Sequence, residues 1–227
     1  MSEKGTLYIV ATPIGNLGDI TLRALEVLRE VDVIACEDAR HTLKLLNYYE
    51  IKKHLISVYA RNEREASSKV LRLLQDDKKL AYVSDAGTPS ISDPGSFLVD
   101  EVRKAGFNVV PVPGVSAFST LLSVAGRFGK GVHFEGFLSP KQGRRCRRLE
   151  ELMGREDAIL LYESPYRLIK LLKDINEIDN KRVLVLGKEL TKMHEKIIVA
   201  SIQDVLNMFL LETEVRGEFS LLILPKS

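Results

Sequence analysis

Residues 6–46, TLYIVATPIGNLGDITLRALEVLREVDVIACEDARHTLKLL, hold a β-branched run, a loop with Pro13 and two glycines, an amphipathic stretch, a second apolar run, a polar loop and another amphipathic stretch. Strand, helix, strand, helix with no hairpin signal predicts a parallel sheet covered on both faces. The rhythm continues outward through LISVYA, REASSKVLRLLQ, KLAYVS, GSFLVDEVRKA and FNVVPVP. It breaks at PVPGVSAFSTLLSVAGRFGKG, where prolines and a glycine precede an apolar helix. A boundary near Pro113 therefore divides the chain into an N-terminal α/β domain, 1–113, and a C-terminal α/β domain, 114–227. In the second domain RVLVLGKEL and EKIIVASI follow one another without a helix between them, which predicts a mixed sheet.

Composition narrows the function classes. The 227 residues are 45% hydrophobic with a net charge of +2, so any nucleic-acid contact must come from a local patch. The stretch SPKQGRRCRR, residues 139–148, is such a patch: Lys141, Arg144, Arg145, Arg147 and Arg148 occur with no acid. Cys36 and Cys146 stand far apart, and the four histidines lack ligand spacing, so neither a disulfide framework nor a metal site is indicated. No run reaches the ~18 apolar residues of a membrane span, and a cytoplasmic protein without a membrane partner is expected. The phosphate-loop pattern GxxxxGK[ST] and the dinucleotide pattern GxGxxG after the first strand are both missing.

Ligands of open α/β sheets bind beyond the carboxyl ends of the strands. ATPIGNLGD, EDARHT, SDAGTPSISDPG and PGVSA all fall on that one edge, whereas DDKK and KAGFN on the other edge read as solvated turns. Asp19 and Asp93 are assigned to helix capping, Asp93 with Pro94 at the first helical position, and Ser164 before Pro165 to the same role. Asp85, Ala86, Gly87 and Thr88 precede any helix start by several residues and are assigned to a ligand.

Together LYIVATPIGNLGDITLRALEVL, VDVIACEDARHT, SDAGTPSISDPG, PVPGVSA, FEGFL, LLYESPYR and GKELTKMHE resemble the ribosomal RNA small subunit methyltransferase I family of the tetrapyrrole methylase superfamily. The resemblance spans nearly the whole chain. It implies two α/β domains with S-adenosylmethionine in the cleft between them, a homodimer, and 2′-O-methylation of a cytidine ribose in the decoding region of 16S rRNA in the small ribosomal subunit. Carried over residue by residue, it implies donor contacts at Ser84, Asp85, Ala86, Gly87 and Thr88, at Ser116 and Ala117, and at Pro13, Tyr162 and Leu190. The segment Arg216, Gly217 and Glu218 closes the adenine end on this reading. Longer members continue into a helical extension past the last strand, so an RNA grip supplied there would be missing or replaced in a chain ending at Ser227.

Methyl transfer to a ribose hydroxyl needs alignment and a proton acceptor, and no metal. Ionisable residues on the edge are Glu37, Asp38, Arg40, His41, Glu163, Lys188 and Glu189, of which Asp38, His41, Glu163 and Glu189 are the candidate bases. The alternative for Glu37 and Asp38 is a solvated pair opening a helix, with the site reading preferred, and Glu163 with Arg167 suits a helix-start ion pair as well as a substrate role. Arg40, Arg167 and the five basic residues of 141–148 are candidates for RNA contact. The alternatives are a methylase of small corrinoid or porphyrin precursors and a non-enzymatic S-adenosylmethionine sensor.

Overall fold

The computed structural model describes residues 5–59 and 61–226. The chain divides into two compact units, Met1–Ser116 and Ala117–Ser227. The first holds β1 (Thr6–Val10), α1 (Leu22–Glu30), β2 (Val33–Cys36), α2 (Ala39–Tyr48), β3 (His54–Ser57), α3 (Glu63–Gln75), β4 (Lys79–Val83), α4 (Ser96–Lys104) and β5 (Asn108–Val112). Its strands form one parallel sheet in the order β3-β2-β4-β1-β5.

Alternation along the central strands builds two cores from one sheet. Ile34, Cys36, Ala81 and Val83 join Leu28 and Leu46 on one face, while Val33, Ala35, Leu80 and Tyr82 join Val70, Leu74, Leu98 and Val102 on the other. Successive side chains of a strand point oppositely, so apolar residues at every position require helices on both sides. On the outermost strand β5, exposed Pro111 has its carbonyl occupied by Arg23 Nη2 at 2.8 Å.

The second unit holds α5 (Ala117–Val124), β6 (Val132–Phe137), α6 (Gln142–Met153), β7 (Ala158–Glu163), α7 (Pro165–Ile178), β8 (Val183–Lys188), β9 (Lys196–Ser201), α8 (Ile202–Leu210) and β10 (Phe219–Ile223). The sheet order is β6-β7-β10-β8-β9; β6 and β7 run parallel and the other pairs antiparallel, giving the mixed sheet expected. Leu149, Leu152, Leu168, Leu172 and Phe209 of the helices pack on Ile159, Leu161, Leu186 and Leu221. A bulge interrupts β6 between Phe134 and Gly136, and Gly136 meets it with φ of 70°. Gly187 lets its neighbours close in: a Cβ there would lie 2.8 Å from Leu190 and 3.1 Å from Leu121. Among the described residues no helix is long and apolar enough to cross a membrane.

Two of the expected helix caps fall elsewhere. Thr21 caps α1 by accepting from Ala24 N at 3.1 Å, and Asp19 instead closes a short 3-10 turn, Leu17–Asp19, with its Oδ2 left unpartnered. Helix α4 begins after Gly95, not at Asp93, because Gly95 at φ 123° occupies the capping position. That glycine is fixed by packing, since a Cβ on it would lie 2.5 Å from the buried Tyr82 ring. Ser164 does hold the capping position of α7 with Pro165 next, although its side chain makes no cap bond.

Candidate active site

In the first unit the strand-end loops are sewn together. Thr12 and Gly87 exchange both backbone bonds, at 2.9 and 3.0 Å, and Thr12 Oγ1 donates to Ser84 O at 3.3 Å. Thr88 Oγ1 donates to Val115 O at 3.1 Å, which ties the loop after β4 to the one after β5. Gly87 takes φ of 77°, where an L side chain is strained, and a Cβ would press on Ile14 at 3.2 Å. Pro13, His41, Ser84 and Asp85 line one cavity of about 290 Å³ together with Thr12 and Leu45. Buried Ser116 belongs to the same edge, on the loop after β5.

Carboxylates crowd this edge. Asp85 Oδ1 accepts from Asp38 N at 3.0 Å, joining the loops after β4 and β2. Burial and the neighbouring Asp85 push the Glu37 carboxyl up. Burial, Glu37 and Asp85 raise Asp93 to about 6, against a hydrogen bond from Ser84 that favours its charge. Asp93 is thus the residue that sequence reasoning missed. Its signal was Gly95: Asp-Pro-Gly reads as a turn, and the helix starts beyond it.

Asp38 proves to be the cap of α2. Its Oδ1 accepts from Arg40 N at 2.8 Å and its Oδ2 pairs with Arg40 Nη2 at 2.9 Å, which holds the carboxyl down at about 2. Such a group is a fixed anion and a poor base at neutral pH. Arg40 itself is 90% exposed beyond that pair.

The second unit carries the remaining residues. Glu163 is buried at the end of β7; its Oε1 pairs with Arg167 Nη2 at 2.6 Å and accepts from Ser164 N at 2.7 Å, leaving Oε2 without a partner. The helix-start ion pair therefore forms, and Arg167 also donates to Leu138 O at 3.2 Å. Glu189 adopts φ of 54° and its Oε1 receives Glu218 N at 2.8 Å and Lys192 Nζ at 3.0 Å. Burial raises that carboxyl, but these two donors outweigh it and leave the group below its ordinary value. Gly217 makes room for it, since a Cβ there would lie 2.7 Å from Glu189 Cγ. Lys188 Nζ sits over the Phe209 and Phe219 rings and 3.5 Å from Glu212. Leu190 is buried beside Gly187, Tyr162 packs edge-on to Phe134 and Phe137, and Ala117 opens α5.

The basic stretch splits in two. Arg145 is buried and bound to Asp174 at 2.5 Å, so it is a core ion pair and is withdrawn from the RNA-facing set. Arg148 is taken up by Glu135 at 2.7 Å and Glu151 at 2.9 Å. Lys141, Arg144 and Arg147 remain exposed. Among the described residues no group of acids, histidines and cysteines is arranged to hold a metal ion.

Comparison with known proteins places this fold. The family model for Tetrapyrrole (Corrin/Porphyrin) Methylases matches residues 6–206. The chain belongs to the tetrapyrrole methylase family. Within that family it is similar to proteins named ribosomal RNA small subunit methyltransferase I: 43% identical to that of Neisseria meningitidis serogroup B over 97% of this chain and 76% of the relative, and 44% identical to that of Borrelia garinii over 96% and 97%. The Thermotoga maritima protein of the same name is 46% identical over 90% of this chain and 92% of its own. Solved family structures include a cobalt precorrin-4 methyltransferase, TM-score 0.71 at 17% identity over 96% of this chain and 94% of that one. A uroporphyrin-III C-methyltransferase of Thermus thermophilus, complexed with S-adenosyl homocysteine, gives 0.67 at 18% over 96% and 97%. At that identity the structures establish the shared tetrapyrrole methylase fold, as the two α/β sheets anticipated.

Proposed function

We propose that this chain methylates the 2′-hydroxyl of a cytidine ribose in the decoding region of 16S rRNA, using S-adenosylmethionine and acting on the small ribosomal subunit. Near full-length identity of 43–46% to three proteins named ribosomal RNA small subunit methyltransferase I is the observation that supports it most. When bound, S-adenosylmethionine supplies an electrophilic methyl carbon and a neutral thioether leaving group.

The residues suit that donor. Beyond burial, Asp85 raises the proton affinity of Glu37, and Glu37 and Asp85 raise that of Asp93, so a sulfonium or ammonium cation placed there relieves the repulsion. We assign Pro13, Ser84, Asp85, Ala86, Gly87, Thr88 and Ser116 of the first unit, and Ala117, Tyr162, Leu190, Gly217 and Glu218 of the second, to donor binding. Of the four candidate bases, Asp38 and Glu189 are held ionised by their own partners and serve as anchors. His41 lines the same cavity as Ser84 and Asp85 and is our choice of proton acceptor, while Glu163 orients Arg167. A positioned base contributes ~10²–10⁴-fold, the remainder coming from alignment. We also propose a cytoplasmic homodimer.

The decisive experiment incubates the protein with labelled donor and either assembled 30S subunits, free 16S rRNA or a porphyrin precursor, followed by nucleoside mass spectrometry. A 2′-O-methylcytidine product is the expected outcome. Label in the porphyrin arm alone establishes the small-molecule methylase, and donor binding without transfer in any arm establishes a sensor.

A further inference from the structure

Two aromatic side chains stand in the open at one edge of the second unit. Phe137 is 54% exposed and Tyr166 89% exposed, although burying such rings is among the larger gains a fold can make. The bulge ahead of Gly136 re-aims the last residues of β6, and Phe137 is then braced edge-on by Tyr162 with centroids 5.7 Å apart. Tyr162 is braced by Phe134 at 5.2 Å, and Phe134 by Phe118 at 5.3 Å. Phe137 is therefore the outer member of a row of packed rings. Tyr166 lies in the first turn of α7, and the bond from Arg167 Nη1 to Leu138 O holds that turn against the end of β6. Both rings therefore lie at the carboxyl end of β6 and β7, Phe137 on the sheet face that carries Phe134 and Tyr162, and Tyr166 on α7 at the end of the helix-covered face.

From this edge the chain runs into α6, and Lys141 at its capping position and Arg144 and Arg147 within it recur every three residues, all three exposed. None of the three has an acidic partner among the described residues, and Arg147 Nε is turned back to Gly143 O at 3.1 Å. Arg148 meanwhile bridges Glu135 and Glu151, which keeps those two acids off Lys141, Arg144 and Arg147, and the row meets its first acid only at exposed Glu150.

We propose that Phe137 and Tyr166 form a stacking platform for unpaired bases of an RNA strand whose phosphates follow Lys141, Arg144 and Arg147. The identification of RNA rests on the function proposed above; the rings and cations rest on the fold alone. Open rings bordered by uncompensated cations fit single-stranded RNA, because every base offers a face to stack and duplex bases hide theirs.

The test is fluorescence anisotropy of the full chain with a labelled 12-nucleotide single-stranded RNA and with the same strand as a duplex. Tyr166→Ala and Phe137→Ala are each expected to weaken single-strand binding by about 5- to 150-fold, leaving the salt dependence and S-adenosylmethionine affinity as in wild type. Lys141→Gln, Arg144→Gln and Arg147→Gln are expected to lower the salt slope by ~0.7 per lost contact. Tyr166 touches too little for its loss to unfold the protein, and Phe137→Leu keeps an apolar contact for Tyr162 while removing the flat ring. Wild-type affinity in Tyr166→Ala and Phe137→Leu overturns the platform and leaves the rings to a protein surface, even where wild-type turnover on rRNA is intact. Weakened binding in those variants beside a wild type that methylates no rRNA supports the platform and defeats the proposed function instead.

Discussion

Replacing Asp93 by Asn separates a carboxylate held among other carboxylates from an ordinary helix cap. Raising this carboxyl from 3.8 to about 6 corresponds to about 3 kcal/mol at full strength, and its partial contact with solvent reduces that to about 1–2 kcal/mol. The sign follows from the direction. A proton affinity higher in the folded state stabilises fully below about pH 4 and is lost as pH rises through about 6. Asn keeps the acceptor for Ser84 and never ionises. Asp93→Asn should therefore match wild type near pH 4 and exceed it by about 1–2 kcal/mol, or roughly 2–8 °C in Tm, above about pH 7. Thermal unfolding of both proteins in donor-free buffer from pH 4 to 8 measures this difference directly. A cap predicts otherwise, because Asn caps as well as Asp and the two proteins would coincide at every pH. Coincidence across the range, or an advantage largest in acid, refutes the carboxylate reasoning.

Gly217→Ala should cost about 1–3 kcal/mol in chemical denaturation, because φ of 104° and a contact of 2.7 Å to Glu189 must both be relieved. Its donor affinity, measured by calorimetry, should fall with it. Arg145→Ala should destabilise by about 3–5 kcal/mol in urea through stranding Asp174, while leaving the salt slope of RNA binding unchanged. His41→Ala should lower kcat by ~10²–10⁴-fold with donor affinity, measured by calorimetry, near wild type.

The sheets were legible because every position of VIAC and LAYV is apolar, a pattern that only strands buried on both faces produce. Strand order was not, since nothing local records that β4 inserts between β1 and β2. Cap positions were misread for a related reason. SISDPGS offers several residues able to cap, and the choice among them is made by Gly95 folding back onto Tyr82 of the preceding strand, a contact that residue types alone do not record. The basic stretch held a signal that charge density obscured: Arg145 precedes Leu149 and Leu152 by four and seven positions, on the buried stripe of α6. At the ligand edge the loops themselves were readable from their Gly, Pro and Asp content. The pairing of Asp38 with Arg40, and of Glu189 with Lys192 and Glu218, depends on backbone turns that residue spacing alone does not specify.

The outer edge of β5 bears on how such a protein stays discrete. Main-chain N and O of one residue point to the same side of a strand, so Pro111 lacks a donor on the side where Arg23 already occupies its carbonyl. An incoming strand would meet a missing rung and a plugged acceptor at the same point of the ladder. The first sheet is thereby closed to end-on growth at β5, and a second copy of the chain would have to join through side chains there instead of by extending the sheet.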